Sequence, residues 1–588
     1  MRRWLGVALL SAATLWVGAG CGGSIGDSPP DVVPDAAPAA PVDAALDDDA
    51  VLDDLEVSIG ELTPRFAADV SSYRVSVSLF VSQLAVTALP RSDRARVEID
   101  GVEILSGQAS APLDLELGEN EITIDIIAEA GTQQRYTITV NRTADVIERS
   151  YEKAELPDSG DQYGASLAVS GDYIAIGAPG ESSADPENPS DDSALKSGGV
   201  FMLRREGASW MPDGYLKASN PGSLDLFGAR VALDGDALVV GAPGEASADG
   251  DDPSDNGARD SGAAYVYRRG ADGWEFEAYL KAFNPDALDK FGTSVAISGD
   301  TIAVGATGES SASADTPESN DVPDSGAVYI FERADGAWTQ TAYLKVGNRG
   351  VGDKLGASAA LRGDILVVGA TGESSANIGD PSDDSAADSG AVYVFERVEQ
   401  GWSESDYLKA GSISASDGFG ASVALLDKTL IVGAPGEDSG SPGNPSDNTV
   451  DDSGAAYVFF QSESGWLERA YLKAGNLGQG DGFGSAVALS DGIVAVGAKR
   501  ESSASADESD SRVVEGSGAA YVFLGAEATW TQAAFLKTVP AEANDEFATS
   551  IALENGLLVV GAAGEDSSVR VSPYDNAAPE SGAAYIFE

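Results

Sequence analysis

The sequence predicts an all-β protein, a β-sandwich followed by a seven-bladed β-propeller. Three observations predict it. Apolar residues alternate with polar ones at period two over residues 52–142. Beyond them a single unit recurs every 64 residues, seven times. The chain of 588 residues holds 69 Gly and only 3 Met, which suits many short strands and turns rather than helical bundles.

The amino-terminal stretch, residues 1–21, reads as an export signal. Arg2 and Arg3 precede an apolar run from Trp4 to Val17 that is too short to span a bilayer, and Gly18-Ala19-Gly20-Cys21 follows. This ending resembles a bacterial lipoprotein lipobox, with Gly18 where a Leu is usual. The resemblance implies that Cys21, the single cysteine of the chain, is lipidated. Gly22 after it resembles the lipoproteins sent to the outer membrane, so a lipid-anchored place at the outer membrane or cell surface is expected. No later segment is apolar enough to cross a membrane, so membrane contact is expected through the anchor only.

Residues 22–50 are rich in Pro, Ala and Asp (Pro29-Pro30, Pro34, Pro38, Pro41, Asp47-Asp48-Asp49). Such a stretch cannot bury a core, and coil scaling gives it a reach of roughly 30 Å, which suits a tether.

Residues 51–143 form the predicted sandwich. Leu55-Val57-Ile59, Tyr73-Val75-Val77, Leu84-Val86, Val97-Ile99, Leu113-Leu115-Leu117, Ile122-Ile124-Ile126 and Tyr136-Ile138-Val140 each put apolar side chains on one face. Asp100-Gly101, Gly118-Glu119-Asn120 and Ala130-Gly131 read as turns. Leu55-Glu56-Val57, Leu62-Thr63-Pro64-Arg65-Phe66, Ser72-Tyr73 and Tyr136 to Arg142 resemble the bacterial cadherin-like sandwich, so an Ig/cadherin-like domain is expected. That family implies a spacer or adhesive module. No cadherin-type calcium cluster accompanies it.

Residues 145–588 hold the repeat. Tyr163-Gly164, Phe227-Gly228, Phe291-Gly292, Leu355-Gly356, Phe419-Gly420, Phe483-Gly484 and Phe547-Ala548 open the seven copies. Each continues through a tight turn, a strand ending in Gly-Ala, a long acidic stretch, a strand opening at Ser-Gly, and a strand ending in Tyr-Leu-Lys or its equivalent. Four strands per copy read as a propeller blade. The chain stops after the third strand of the seventh copy, while Tyr151 and Lys153 lie 64 residues before Tyr215 and Lys217. The segment 147–155 is therefore expected to supply the missing strand and close the ring. The Phe-Gly…Gly-Ala-Pro-Gly signature resembles the FG-GAP repeat of integrin α-like propellers. The calcium loop of that family does not carry over, because the turn between the first and second strands is only as long as Ser298-Gly299-Asp300.

Composition excludes several chemistries. There are 36 Lys+Arg against 95 Asp+Glu, a net charge of -59, and no His. No imidazole-based triad or metal site is possible, and a field this negative disfavours nucleic acid. Each copy places an acidic loop, a Glu (Glu181, Glu245, Glu309, Glu373, Glu437, Glu501, Glu565), an Asp (Asp161, Asp225, Asp289, Asp353, Asp417, Asp481, Asp545) and a Lys (Lys153, Lys217, Lys281, Lys345, Lys409, Lys473, Lys537) on one face. Two readings stand. The three charges neutralise one another, or runs such as Asp191-Asp192, Asp251-Asp252 and Asp383-Asp384 hold calcium. No metal ligand set is assigned, because none follows a recognised loop pattern. Lys499-Arg500 departs from the Pro-Gly or Thr-Gly of most copies. It is either a seat for an anionic group or a neutral local change. No enzyme is expected, since blades this alike leave no unique acid and base. The expected role is a cell-surface binding or adhesion protein with a surface protein or glycan as partner. A structural surface-layer protein and, behind it, a carbohydrate-active enzyme are the alternatives.

Overall fold

The computed structural model describes residues 46–588 except 186–187, 208, 251, 510, 555 and 571–572. The signal segment with Cys21 and most of the tether lie outside the described residues.

The first domain has nine strands rather than seven: β1 (Leu52–Val57), β2 (Ser72–Val77), β3 (Gln83–Leu84), β4 (Val86–Pro90), β5 (Arg96–Ile99), β6 (Val102–Ile104), β7 (Leu113–Asp114), β8 (Gly118–Ile127) and β9 (Gln133–Arg142). They form a five-stranded sheet ordered β2-β9-β8-β5-β6 and two-stranded sheets β1-β4 and β3-β7, with β2 and β9 parallel. The run Leu84–Val86 breaks at Ala85, where β3 and β4 part into different sheets. The expected strand through Leu117 ends at Asp114. The expected turn at Gly118-Glu119-Asn120 is instead the start of β8. The Asn120 side chain reaches back to the Glu116 N–H and C=O, both at 2.8 Å, and fixes the turn earlier in the chain. Leu52, Val86, Val97, Ile124, Ile138 and Val140 are fully buried in the shared core.

A further strand, β10 (Glu148–Glu152), follows. Seven four-stranded antiparallel sheets make up the rest. The first is β11 (Ser166–Ser170), β12 (Tyr173–Ala178), β13 (Gly199–Glu206) and β14 (Ser209–Leu216), in chain order. Five more repeat that order. The seventh joins Phe547–Glu554, Leu557–Ala562 and Ala583–Phe587 to β10, which pairs with the last strand, Tyr151 opposite Tyr585.

Each innermost strand packs on that of the next sheet, and the seventh packs on the first. Parallel bridges such as Gly198 with Phe227 and Gly262 with Phe291 tie successive sheets, and Tyr163 with Gly582 ties the first to the last. The Ser-Gly glycine is required at this crossing. A Cβ on Gly198 would stand 1.9 Å from the Phe227 carbonyl oxygen. Phe227, Phe291, Phe419, Phe483 and Phe547 are fully buried beneath the bridges. A side-chain bond adds to the tie. Tyr265 donates to Asn220 at 2.7 Å, and Tyr329–Asn284, Tyr393–Asn348 and Tyr521–Asn476 repeat it.

Since the strands alternate in direction, the hairpins at 170–173 and 206–209 point one way, and the acidic loops and sheet connections point the other. The sandwich docks at the hairpin end. Leu79 and Phe80 join the core of the seventh sheet with Ile551 and Leu558, and a Cβ on Gly556 would come 3.0 Å from Val81 Cγ2. Arg142 holds this segment by donating to the Leu79 carbonyl at 2.7 and 3.2 Å and to Leu115 O at 2.7 Å.

Candidate functional site

The loop end carries two features, a ring of buried ion pairs and an axial cavity. In every sheet the Lys that ends the fourth strand reaches across the third to the Glu that follows the second. Lys217–Glu181 and Lys281–Glu245 are 2.6 Å, Lys345–Glu309 2.5 Å, Lys409–Glu373 2.8 Å and Lys537–Glu501 2.9 Å. Lys473–Glu437 and Lys153–Glu565 complete the set. Each ammonium also donates to the Ser-Gly hydroxyl, for example Lys217 to Ser197 at 2.7 Å and Lys281 to Ser261 at 2.8 Å. The second Glu oxygen accepts from a backbone N–H or a Tyr hydroxyl, as Glu181 does from Ser183 at 2.8 Å and Glu437 from Tyr471 at 2.9 Å. Burial lowers each Lys pKa, and the adjacent Glu opposes that shift. A Ser–Lys contact of this length can serve a nucleophile. Here the Ser hydroxyls are buried and already donate to backbone carbonyls, Ser197 to Ser183 O at 2.7 Å, so they meet no substrate.

The repeated aspartates stand apart from these pairs. Six of them accept from the backbone N–H three residues earlier, as Asp225 does from Gly222 at 2.7 Å, and the seventh, Asp481, accepts from Arg512. The expected three-member network is therefore a Lys–Glu–Ser network with a separate Asp. Burial pushes Asp161, Asp289, Asp417 and Asp545 up to about 7, with repulsion from the nearby Glu adding to it. Burial likewise pushes Asp225, Asp353 and Asp481 up to about 6. Among the described residues no group of three or more carboxylates gathers to hold a metal ion.

The axial cavity, of about 550 Å³, lies between the inner strands. Its wall is mostly Ser, Ala and Val. Its charged lining residues are Arg230, Lys499 and Glu546. Lys499 Nζ is 3.9 Å from Glu546 Oε2. The neighbouring Arg500 is exposed and lies outside the lining, so the two basic residues marked in the sequence do not converge. Arg230 was legible only as an exception, because the equivalent residue in five other copies is Ser.

Comparison with known families fits this geometry. Residues 210–267, 274–331, 402–459, 466–523 and 530–587 match the FG-GAP repeat. Five copies carry the repeat. Residues 52–143 match the cadherin-like beta sandwich domain. A protein of Evansella cellulosilytica named "Putative membrane protein" is 41% identical over 93 residues. That stretch spans 16% of this chain and 14% of the relative. Among the described residues no helix is long and apolar enough to cross a membrane.

Proposed function

We propose that the chain is a lipid-anchored cell-surface protein whose residues 145–588 form a closed seven-bladed β-propeller that binds a surface protein or glycan through its loop end. Residues 1–21 act as the signal and the stretch from 22 as the tether, which ends before 50, since Ala50 is buried in the sandwich core. Residues 51–143 act as a rigid spacer.

The observation that carries this reading is the docking of the sandwich. Leu79 and Phe80 fix it to the hairpin end of the seventh sheet, the side opposite the acidic loops. The loop end stands away from the docked sandwich, which suits its display as a binding surface. FG-GAP repeats and cadherin-like sandwiches are modules of surface and adhesion-type proteins, which agrees with such a display. The Lys–Glu–Ser sets recur alike in all seven sheets and are buried, which favours binding over catalysis.

Fractionation of cells carrying Cys21→Ser tests the anchor. The variant should leave the membrane fraction, and unchanged partitioning would sink the anchoring. Binding of the intact protein to arrayed surface glycans and proteins tests the role. Binding that falls when acidic loops of several sheets are neutralised supports a module, whereas glycan cleavage that follows one carboxylate would replace it with an enzyme.

A further inference from the structure

The axial cavity holds a positive charge that the fold does not use. In five copies the residue at one register of the innermost strand is a Ser whose hydroxyl bonds a glycine carbonyl across the sheet junction: Ser166 to Gly228, Ser294 to Gly356, Ser358 to Gly420, Ser422 to Gly484 and Ser550 to Gly164, at 2.6–2.8 Å. Arg230 occupies that register in the second sheet. It forgoes the junction bond, and its Nη1 donates instead to the carbonyl of its neighbour Ala229 at 2.7 Å. Among the described residues no carboxylate pairs with it. Its side chain is exposed and lines the cavity, so its remaining N–H donors are open to an anion entering there.

The surroundings extend the pattern. Lys499 takes a position held by Pro179, Pro243, Thr307, Thr371, Pro435 and Ala563 in the other copies. Its contact with Glu546 is loose at 3.9 Å. Lys290 and Lys354 occupy the register of the lining residues Gln162 and Glu546. Outside the seven buried pairs the lysines are Lys196, Lys290, Lys354, Lys428 and Lys499. Of these, Lys499 lines the cavity, in a chain whose net charge is -59.

We infer that the axial cavity is a binding site for a carboxylate-bearing small molecule or chain end, gripped by Arg230, with Lys499 elsewhere on the lining. The planar guanidinium fork suits a carboxylate. The negative field of the whole molecule repels polyanions and selects a single charge. A cavity of about 550 Å³ is the size of a small-ligand site, and its Ser, Ala and Val wall suits a hydroxylated or apolar body. This inference deepens the proposed binding role by naming a ligand chemistry for it.

Titration calorimetry of the full chain with glucuronate, with glucose and acetate as controls at fixed ionic strength, tests the site. Glucuronate should bind saturably, acetate more weakly and glucose not at all. Arg230→Ser restores the residue of five other copies, so it should fold and melt no lower than the native chain, yet bind glucuronate roughly tenfold or more weakly. Lys499→Thr should weaken binding less. Equal affinity in native and Arg230→Ser proteins would overturn the site, as would a native chain that binds neither glucuronate nor acetate. Loss of the axial site with intact glycan or protein binding by the loops would discard this inference and leave the surface role standing.

Discussion

Lys153 and Glu565 form a buried ion pair although 412 residues separate them in the chain. The pair is the seventh instance of a contact that spans 36 residues in the other six sheets, as between Lys217 and Glu181. Its side chains are 0% and 4% exposed. The same side-chain set therefore serves both to cap each sheet and to hold β10 to the seventh.

Removing one partner of such a pair should be severe. Lys281→Ala leaves Glu245 buried without its counter-ion and should cost about 3–5 kcal/mol. Lys281→Met combined with Glu245→Leu should recover most of that loss. Denaturant melts of the three proteins check the order.

Acid should stabilise the repeat region above pH 5. The seven aspartates have folded pKa values of about 6 to 7, above the roughly 3.9 of an unfolded Asp. The folded state then binds more protons across that interval, so stability rises as pH falls from 8 towards 5 and is lost as it climbs back. With no His in the chain, few other groups titrate there. Asp417→Asn should take up one proton fewer between pH 8 and 5, and should melt higher than the native protein at pH 8 but not at pH 5. A flat native melting temperature across that range would refute this.

The Tyr–Asn tie between sheets fails where Ser412 and Pro540 stand in the Asn register. There the Tyr457 and Tyr585 hydroxyls are buried without a partner. In the first sheet Leu156 stands in that register, and the matching ring is Phe201, which has no hydroxyl to satisfy. Ser412→Asn should give Tyr457 its acceptor and raise stability by about 1 kcal/mol. The gain should vanish in Tyr457→Phe, which a double-mutant cycle measures.

Ala548 replaces the Gly of the Phe-Gly pair and keeps its left-handed backbone, with φ of 71°. Ala548→Gly should relieve about 1 kcal/mol of strain and raise the melting temperature.

The repeat order was legible because a strict 64-residue period fixes each strand against its copies. The partner of β10 followed from the same register. The sandwich was less legible. It has no internal repeat, and its turn at 115–118 is set by one Asn120 side chain rather than by a turn dipeptide. The Lys and Glu positions of the buried sets were visible as repeats. The Ser that completes them was visible too, but Ser-Gly reads first as the opening of a strand. Arg230 was hidden for the opposite reason, since a lone departure carries meaning only once its register is known to face a cavity.

The shared seventh sheet also sets an order of assembly. Six sheets are built from neighbours in the chain, so each can condense as soon as its own hairpins exist. The seventh must wait for Ala583–Phe587 to find β10 across more than four hundred residues. The entropic cost of that meeting grows only slowly with length, and the six sheets already formed shorten the search by holding the two ends near each other. Until it happens, β10 and Ala583–Phe587 both offer open hydrogen-bonding edges. A second chain at the same stage offers the complementary ones, so crowded refolding should trade this pairing for exchange of β10 between molecules.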